Sequence, residues 1–232
     1  MKQMLTFLLL LLSFTAIAQI KKGDKLVGVG IGAISYTSSD SKTTYSNTPT
    51  VYESEGSSFS ISLNPNLGWF IMDKLAVGAA VNVSFNTSKS ESRNSASTTT
   101  SDNKSTQPAF YIGPFARYYF GTGTKGAPFV QGNFQLGTSG GKSESQTSSG
   151  ASSETTTKPK GDWNAGVVVG YEHFVTPNIG LFGSFGLNYG KSKTSYEYRP
   201  STGVGYDYTS EYSRFLIPVN IGLQVHILGR QK

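Results

Sequence analysis

The sequence contains no cysteine, few charged residues and, beyond its opening stretch, no long apolar run. Without cysteine there are no disulfides, so an exported chain has to be held together in another way, such as a closed ladder of backbone hydrogen bonds. Charged residues make up 15% of the chain, against roughly a quarter in an ordinary soluble domain. After residue 18 nothing approaches the roughly 18 consecutive apolar residues that a membrane-crossing helix requires, which argues against a helical membrane protein. Histidine occurs only as His173 and His226, with no Ser-His-acid spacing around either. Two histidines and scattered acids also match no metal-ligand spacing. The residues therefore predict neither an enzyme nor a metal or cofactor site. The formal net charge of +6 is spread without a basic run, so no nucleic-acid partner is expected.

What is present begins with MKQMLTFLLLLLSFTAIAQ. A positive start at Lys2, an apolar run from Leu5 to Ile17 and the small-x-small pattern Ala16-Ile17-Ala18 describe a secretory signal peptide over residues 1–18. Residues 19–232 are expected to form one domain.

That domain is written in period two. Over residues 58–69, Phe59, Ile61, Leu63, Pro65, Leu67 and Trp69 alternate with Ser, Asn and Gly. After a short break, Leu75, Val77, Ala79, Val81, Val83 and Phe85 repeat the pattern. Strands place alternate side chains on opposite faces, so each arm has one apolar face and one polar or small face. Each arm also has the roughly 9–11 residues of a tilted membrane-crossing strand. The same alternation recurs at residues 26–36, 109–120, 128–137, 162–174, 179–189 and 213–228. The GVGIG run at residues 28–32 reads as strand glycines on a crowded inner face, because no helix pattern follows it.

The strands number eight. Ser- and Thr-rich segments at residues 37–57, 87–107, 138–161 and 191–212 read as long polar loops, alternating with turns of a few residues. Phe59, Phe85, Phe110, Trp163, Tyr189 and Phe215 sit beside the long segments, and Trp69, Tyr118, Phe120 and Tyr171 beside the short turns. These form two aromatic girdles, one per membrane interface. The predicted fold is an all-β, eight-stranded antiparallel transmembrane up-and-down barrel with long polar extracellular loops. A soluble lipocalin-like barrel would put its apolar residues inside, the reverse of this pattern. Pro65, Pro114 and Pro218 fall within strands, where bulges or locally widened pairing are expected.

The segments WFIMDKLAVG (69–78), GPFARYYF (113–120) and PNIGL (177–181) complete the pattern. With them, nearly the whole mature chain resembles the small outer-membrane β-barrel proteins of Bacteroidota, the OmpA- and OmpX-like, porin-type family. The resemblance implies residence in the outer membrane of a Gram-negative bacterium, surrounded by outer-membrane lipid and lipopolysaccharide. It also implies insertion by a barrel-assembly machine that reads the last strand. The family tends to end on an aromatic residue, whereas this chain closes Ile227-Leu228-Gly229-Arg230-Gln231-Lys232.

An eight-stranded barrel is only wide enough for its own side chains. Arg117 and Glu172 both point inward by parity near the short-turn end and are expected to pair across the lumen, with Gln131 and Gln135 nearby. The cluster reads as a structural plug, with a gate for slow ion flow as the alternative. The polar loops read as a solvated shield; alternatively they bind a surface ligand through Tyr45, Tyr52, Tyr196, Tyr198, Tyr206, Tyr208 and Tyr212 in the first and fourth loops. The expected role is structural or surface-presenting, without catalysis. The alternatives are a small pore or transport accessory, or a surface adhesin.

Overall fold

The computed structural model describes residues 20–44, 51–94, 100–121 and 125–229. The signal peptide over residues 1–18, Tyr45 and the side chain of Tyr52 lie outside the described residues. Ten strands follow in order: β1 (Lys25–Thr44), β2 (Val51–Met72), β3 (Leu75–Asn94), β4 (Thr100–Tyr119), β5 (Gly126–Ser139), β6 (Gly141–Thr147), β7 (Ser152–Thr176), β8 (Ile179–Pro200), β9 (Tyr206–Leu216) and β10 (Val219–Ile227). Every pairing is antiparallel. β5 and β6 occupy one position end to end between β4 and β7, and β9 and β10 share another beside β8. β10 returns to pair with β1, Lys25 opposite Ile227, so the sheet closes as a ring of eight.

Both split positions have a proline at the break. Gly140, between β5 and β6, donates to the carbonyl of Pro108 on β4, and Pro108 has no N–H with which to reciprocate. Pro218 itself separates β9 from β10, and its carbonyl accepts from Gly186 on β8. The register with the neighbouring strand continues across both breaks. At Pro65 the β2–β3 pairing lapses between Leu63–Val83 and Asn66–Ala80 without a shift. At Pro114 the β4–β5 pairing lapses in the same way between Ile112–Leu136 and Phe115–Asn133. The prolines therefore widen the pairing rather than bulge it. Register shifts lie elsewhere, between Gly32 and Ser35, Phe70 and Met72, Pro159 and Gly161, and Phe174 and Thr176.

The expectation of four long polar loops is corrected. β1 continues to Thr44, β2 starts at Val51, β3 runs to Asn94, β4 starts at Thr100, and β8 reaches Pro200. β6 lies wholly within a segment expected as a loop, while β9 starts in the fourth such segment and takes residues 213–216 from the expected last strand, whose remainder is β10. The reason is cross-strand chemistry that apolar alternation does not reveal. Lys42 pairs with Glu53, Lys142 with Glu154, Lys158 with Glu197, Lys193 with Glu211 and Arg199 with Asp207, at 2.5–2.9 Å. Each exposed pair is individually weak, but together, with Thr-rich backbone between, they favour ladder over coil along β1–β2, β6–β7 and β7–β8–β9; the β3–β4 ladder instead sets Lys89 against Lys104 and Glu91 against Asp102.

The faces are inverted relative to a soluble domain. Val29, Leu67, Val83, Ile112, Leu136, Val167, Leu187 and Ile221 are all exposed outward, between 42% and 65%. Inside, the short-turn end is filled by Leu26, Phe70, Tyr119, Phe129 and Phe174, each at most 2% exposed, with Ile20 beside them. Backbone approach is close where Gly68 of β2 faces Gly78 of β3, with the Phe115 ring against Gly68. A Cβ on Gly78 would lie 2.5 Å from the Gly68 Cα and run into the Leu67 carbonyl oxygen.

Candidate functional site

The polar residues that alternation sends inward form three clusters along the lumen. Nearest the short turns, β4 supplies Arg117 and Tyr119, β7 supplies Glu172, and β10 supplies Gln224 and His226. Alternate positions on three strands thus bring five polar groups together. Arg117 donates from Nε to Gln131 Oε1 at 2.8 Å and from Nη1 to Gln224 Oε1 at 2.9 Å and Tyr119 Oη at 3.2 Å. Tyr119 Oη donates to Glu172 Oε2 at 2.6 Å, and the other carboxylate oxygen meets His226 Nε2 at 2.7 Å. The Arg117 guanidinium lies 4.3 Å from the Phe129 ring centroid and 5.5 Å from that of Phe182. His226 stacks on Phe70 at 5.9 Å and meets Phe174 edge-on at 5.6 Å. Arg117, Glu172, Gln224 and His226 are all buried. Burying such groups is costly unless their donors and acceptors are matched, and here all are partnered except His226 Nδ1.

The middle cluster is a neutral amide chain. Asn82 Nδ2 donates to Asn64 Oδ1, and Asn64 Nδ2 donates to Asn220 Oδ1 at 3.2 Å. At the far end Asp162 accepts from Ser139 Oγ, Ser192 Oγ and, at 3.2 Å, Tyr111 Oη. Arg214 Nη2 donates to Tyr111 Oη at 2.7 Å and lies over its ring at 5.8 Å.

The four residues singled out from sequence divide. Arg117, Gln131 and Glu172 belong to one cluster, but Arg117 and Glu172 meet through Tyr119 rather than directly. Gln135 stands apart, its Nε2 donating to the Ala80 carbonyl at 3.3 Å. Tyr119, Gln224 and His226 complete the cluster. Their inward parity was visible in the sequence; the identity of their partners depends on which strands face one another across the ring. The Asp162 and asparagine clusters were not anticipated.

The girdle residues Phe59, Trp69, Phe85, Phe110, Tyr118, Phe120, Tyr171, Tyr189 and Phe215 are exposed on the outward face, from 38% to 62%. Trp163 shares that face, stacked on Phe134 at 6.2 Å and edge-on to Tyr189 at 5.8 Å. Tyr118 and Phe120 meet edge-on at 5.1 Å near the opposite end.

No family model matches the chain, and no curated protein matches it. Among solved structures it is similar to the outer membrane protein OprG from Pseudomonas aeruginosa, at 14% identity and a TM-score of 0.42, over 91% of this chain and 99% of that one. It is also similar to Neisserial surface protein A, at 19% identity and a TM-score of 0.37, over 88% of this chain and 97% of that one. The translocator domain of the autotransporter NalP from Neisseria meningitidis is a third, at 12% identity and a TM-score of 0.42, over 88% of each chain.

Proposed function

We propose that this chain is an integral outer-membrane β-barrel whose role is structural or surface-presenting, without catalysis. The observation that carries the reading is the inversion of the ring: apolar side chains exposed on the outward face around an interior of hydrogen-bonded polar clusters, in which Asn164 Oδ1, Asn188 Oδ1 and His226 Nδ1 alone among the described buried side-chain atoms are unpartnered. In water such a surface far exceeds the apolar patch a monomer tolerates, whereas in a bilayer it is the required face. The ten steps from Phe59 to Trp69, at about 3.3 Å each and tilted by about 40°, rise about 25 Å, the height of a bilayer's apolar band. The strand portions beyond that band carry Ser, Thr and ion pairs and would stand in water as an outward extension of the wall.

The closed clusters favour a plug over a pore. Arg117, Tyr119 and Glu172 cross the lumen among Phe70, Phe129 and Phe174, leaving the turn end packed. The same enclosure argues against Glu172 and His226 as catalytic groups, since a substrate would have to displace that packing.

The two tryptophans offer a direct test, because Trp69 and Trp163 are the only ones and sit near opposite ends of the belt. The mature chain, refolded into vesicles carrying brominated acyl chains, should lose much of its tryptophan fluorescence, most strongly with bromines close to the headgroups. A spectrum untouched by bromine at any depth, with the chain soluble in plain buffer, would reject the membrane reading.

A further inference from the structure

Beyond the level of Gly32 and Asn220 the ring is not closed. That pair is the last to join β1 to β10, and among the described residues no pairing joins β9 to β1. Two irregularities face each other at this height. β1 shifts register between Gly32 and Ser35, and Ile217 and Pro218 interrupt the opposite position. Pro218 cannot donate, and its carbonyl bonds to Gly186 on the β8 side. Nothing therefore draws β9 across to β1. Tyr206–Leu216 of β9 and residues 35–44 of β1 are paired on one side only.

A free strand edge is a template for another strand unless something blunts it. β9 has no proline and no register shift from Tyr206 to Leu216. Its two faces are chemically distinct. Ser192 reaches Asp162 in the lumen, so Tyr196 and Tyr198, on the same parity of β8, face inward with their partners Tyr208 and Tyr206. Tyr196 stacks on Tyr208 at 4.8 Å, and Tyr198 meets Tyr206 at 5.0 Å. Tyr206 and Tyr208 remain 57% and 45% exposed, covered by β8 on one flank only. On the outward face Asp207 and Glu211 bond to Arg199 and Lys193, yet their side chains are 63% and 69% exposed. Cross-strand neighbours on an added strand would lie about 4.5–5.5 Å from these side chains. Aromatic or β-branched residues would suit the tyrosine side, and Lys or Arg the acidic side.

We propose that the free edge of β9 docks an extended polypeptide segment that alternates basic with aromatic or β-branched residues and completes the sheet by strand addition. The inference goes beyond a structural barrel and depends on the open seam alone, whatever surrounds the belt.

The test uses the full mature chain refolded in detergent, with the folded band on an unboiled gel reporting the closed ring separately. The probe is the synthetic nonapeptide Lys-Tyr-Lys-Val-Lys-Tyr-Lys-Val-Lys, compared with the same residues in an order that lacks alternation and with a neutral maltooligosaccharide. The alternating peptide should slow amide exchange at alternate positions of residues 206–216 at least tenfold, and the other two probes should not. Asp207→Asn with Glu211→Gln should keep the folded band and bind the peptide about tenfold more weakly, each lost charge pair being worth a few-fold. Unchanged exchange in β9 at saturating peptide, equal protection by the non-alternating peptide, or protection by the sugar instead would each overturn the proposal. Loss of the folded band would count against the ring and not against the docking edge.

Discussion

Tyr119 stands between Arg117 and Glu172, its hydroxyl accepting from the guanidinium at 3.2 Å and donating to the carboxylate at 2.6 Å. A buried cation and a buried anion are thus connected by a neutral group that serves both. Arg117 keeps Gln131 and Gln224 as acceptors, and Glu172 keeps His226.

Tyr119→Phe should remove the relay while preserving the ring packing against Phe70 and Phe129. The expected cost is about 1–3 kcal/mol, because one carboxylate oxygen is left without its donor. Arg117→Ala should cost more, about 3–5 kcal/mol, because it leaves Glu172 buried with no cation and hollows the space beside Phe129 and Phe182. Urea titrations in detergent, followed by tryptophan fluorescence, would rank the two. Equal stability of both variants with the parent would mean that the cluster is not structural.

Planar-bilayer recordings separate a plug from a gate. A plug predicts silence from the parent and from Tyr119→Phe alike, since Phe70, Phe129 and Phe174 still fill the turn end. Discrete openings that appear in Tyr119→Phe alone would favour the gate.

The extension of the wall should be acid-sensitive. The Glu53, Glu197 and Glu211 carboxyls are held below the ordinary glutamate range, first by hydrogen bonds from Lys42, Lys158 and Lys193 and then by the charges of those lysines. A carboxyl whose folded value is depressed contributes stability that is complete above its unfolded value and disappears as pH falls through the folded one. Amide protection in the upper halves of β1, β2, β8 and β9 should therefore hold at neutral pH and fall once pH drops below the ordinary glutamate range. High salt should weaken it at neutral pH as well. Protection indifferent to both pH and salt would show that the ion pairs do not hold the extension.

Gly78→Ala should be poorly tolerated despite adding a single methyl. Its Cβ would meet backbone, the Leu67 carbonyl and the Gly68 Cα, which cannot rotate away as a side chain could. Overpacking of this kind costs about 1–3 kcal/mol. The same change at Gly183, where a Cβ meets nothing within 4 Å, is the control and should leave refolding unchanged. If both variants refold alike, the close approach of β2 and β3 is not limiting.

The belt-level strands were legible because Phe59, Ile61, Leu63 and their counterparts alternate with small polar residues, and period two depends only on the backbone. The extension was not legible by that rule because its alternation is one of charge. In KSES at residues 142–145, KSK at 191–193 and YEYR at 196–199, charged residues alternate with serine or tyrosine. Counting polar residues as one class hid that pattern; counting charge separately would have exposed it. Prolines misled for a related reason. Pro65 keeps its pairing with Val29 on one side and loses it on the other, so a residue without an N–H can occupy a ladder without displacing it. In the lumen, parity placed Arg117 and Glu172 inside. Placing Tyr119 between them required knowing which strands oppose one another.

Ring closure also bears on the order of assembly. The strands that complete the ring, β1 and β10, come from opposite ends of the described chain, while every other strand pairing joins strands adjacent or next but one in sequence. While the ring assembles, the Lys25–Gly32 edge of β1 therefore stays open until β10 docks against it. Closing so long a loop is entropically the hardest step and a late one, and until then the unfinished sheet offers two sticky edges to its neighbours. Substitutions confined to the β1–β10 seam should therefore slow maturation more than they lower the stability of the finished protein.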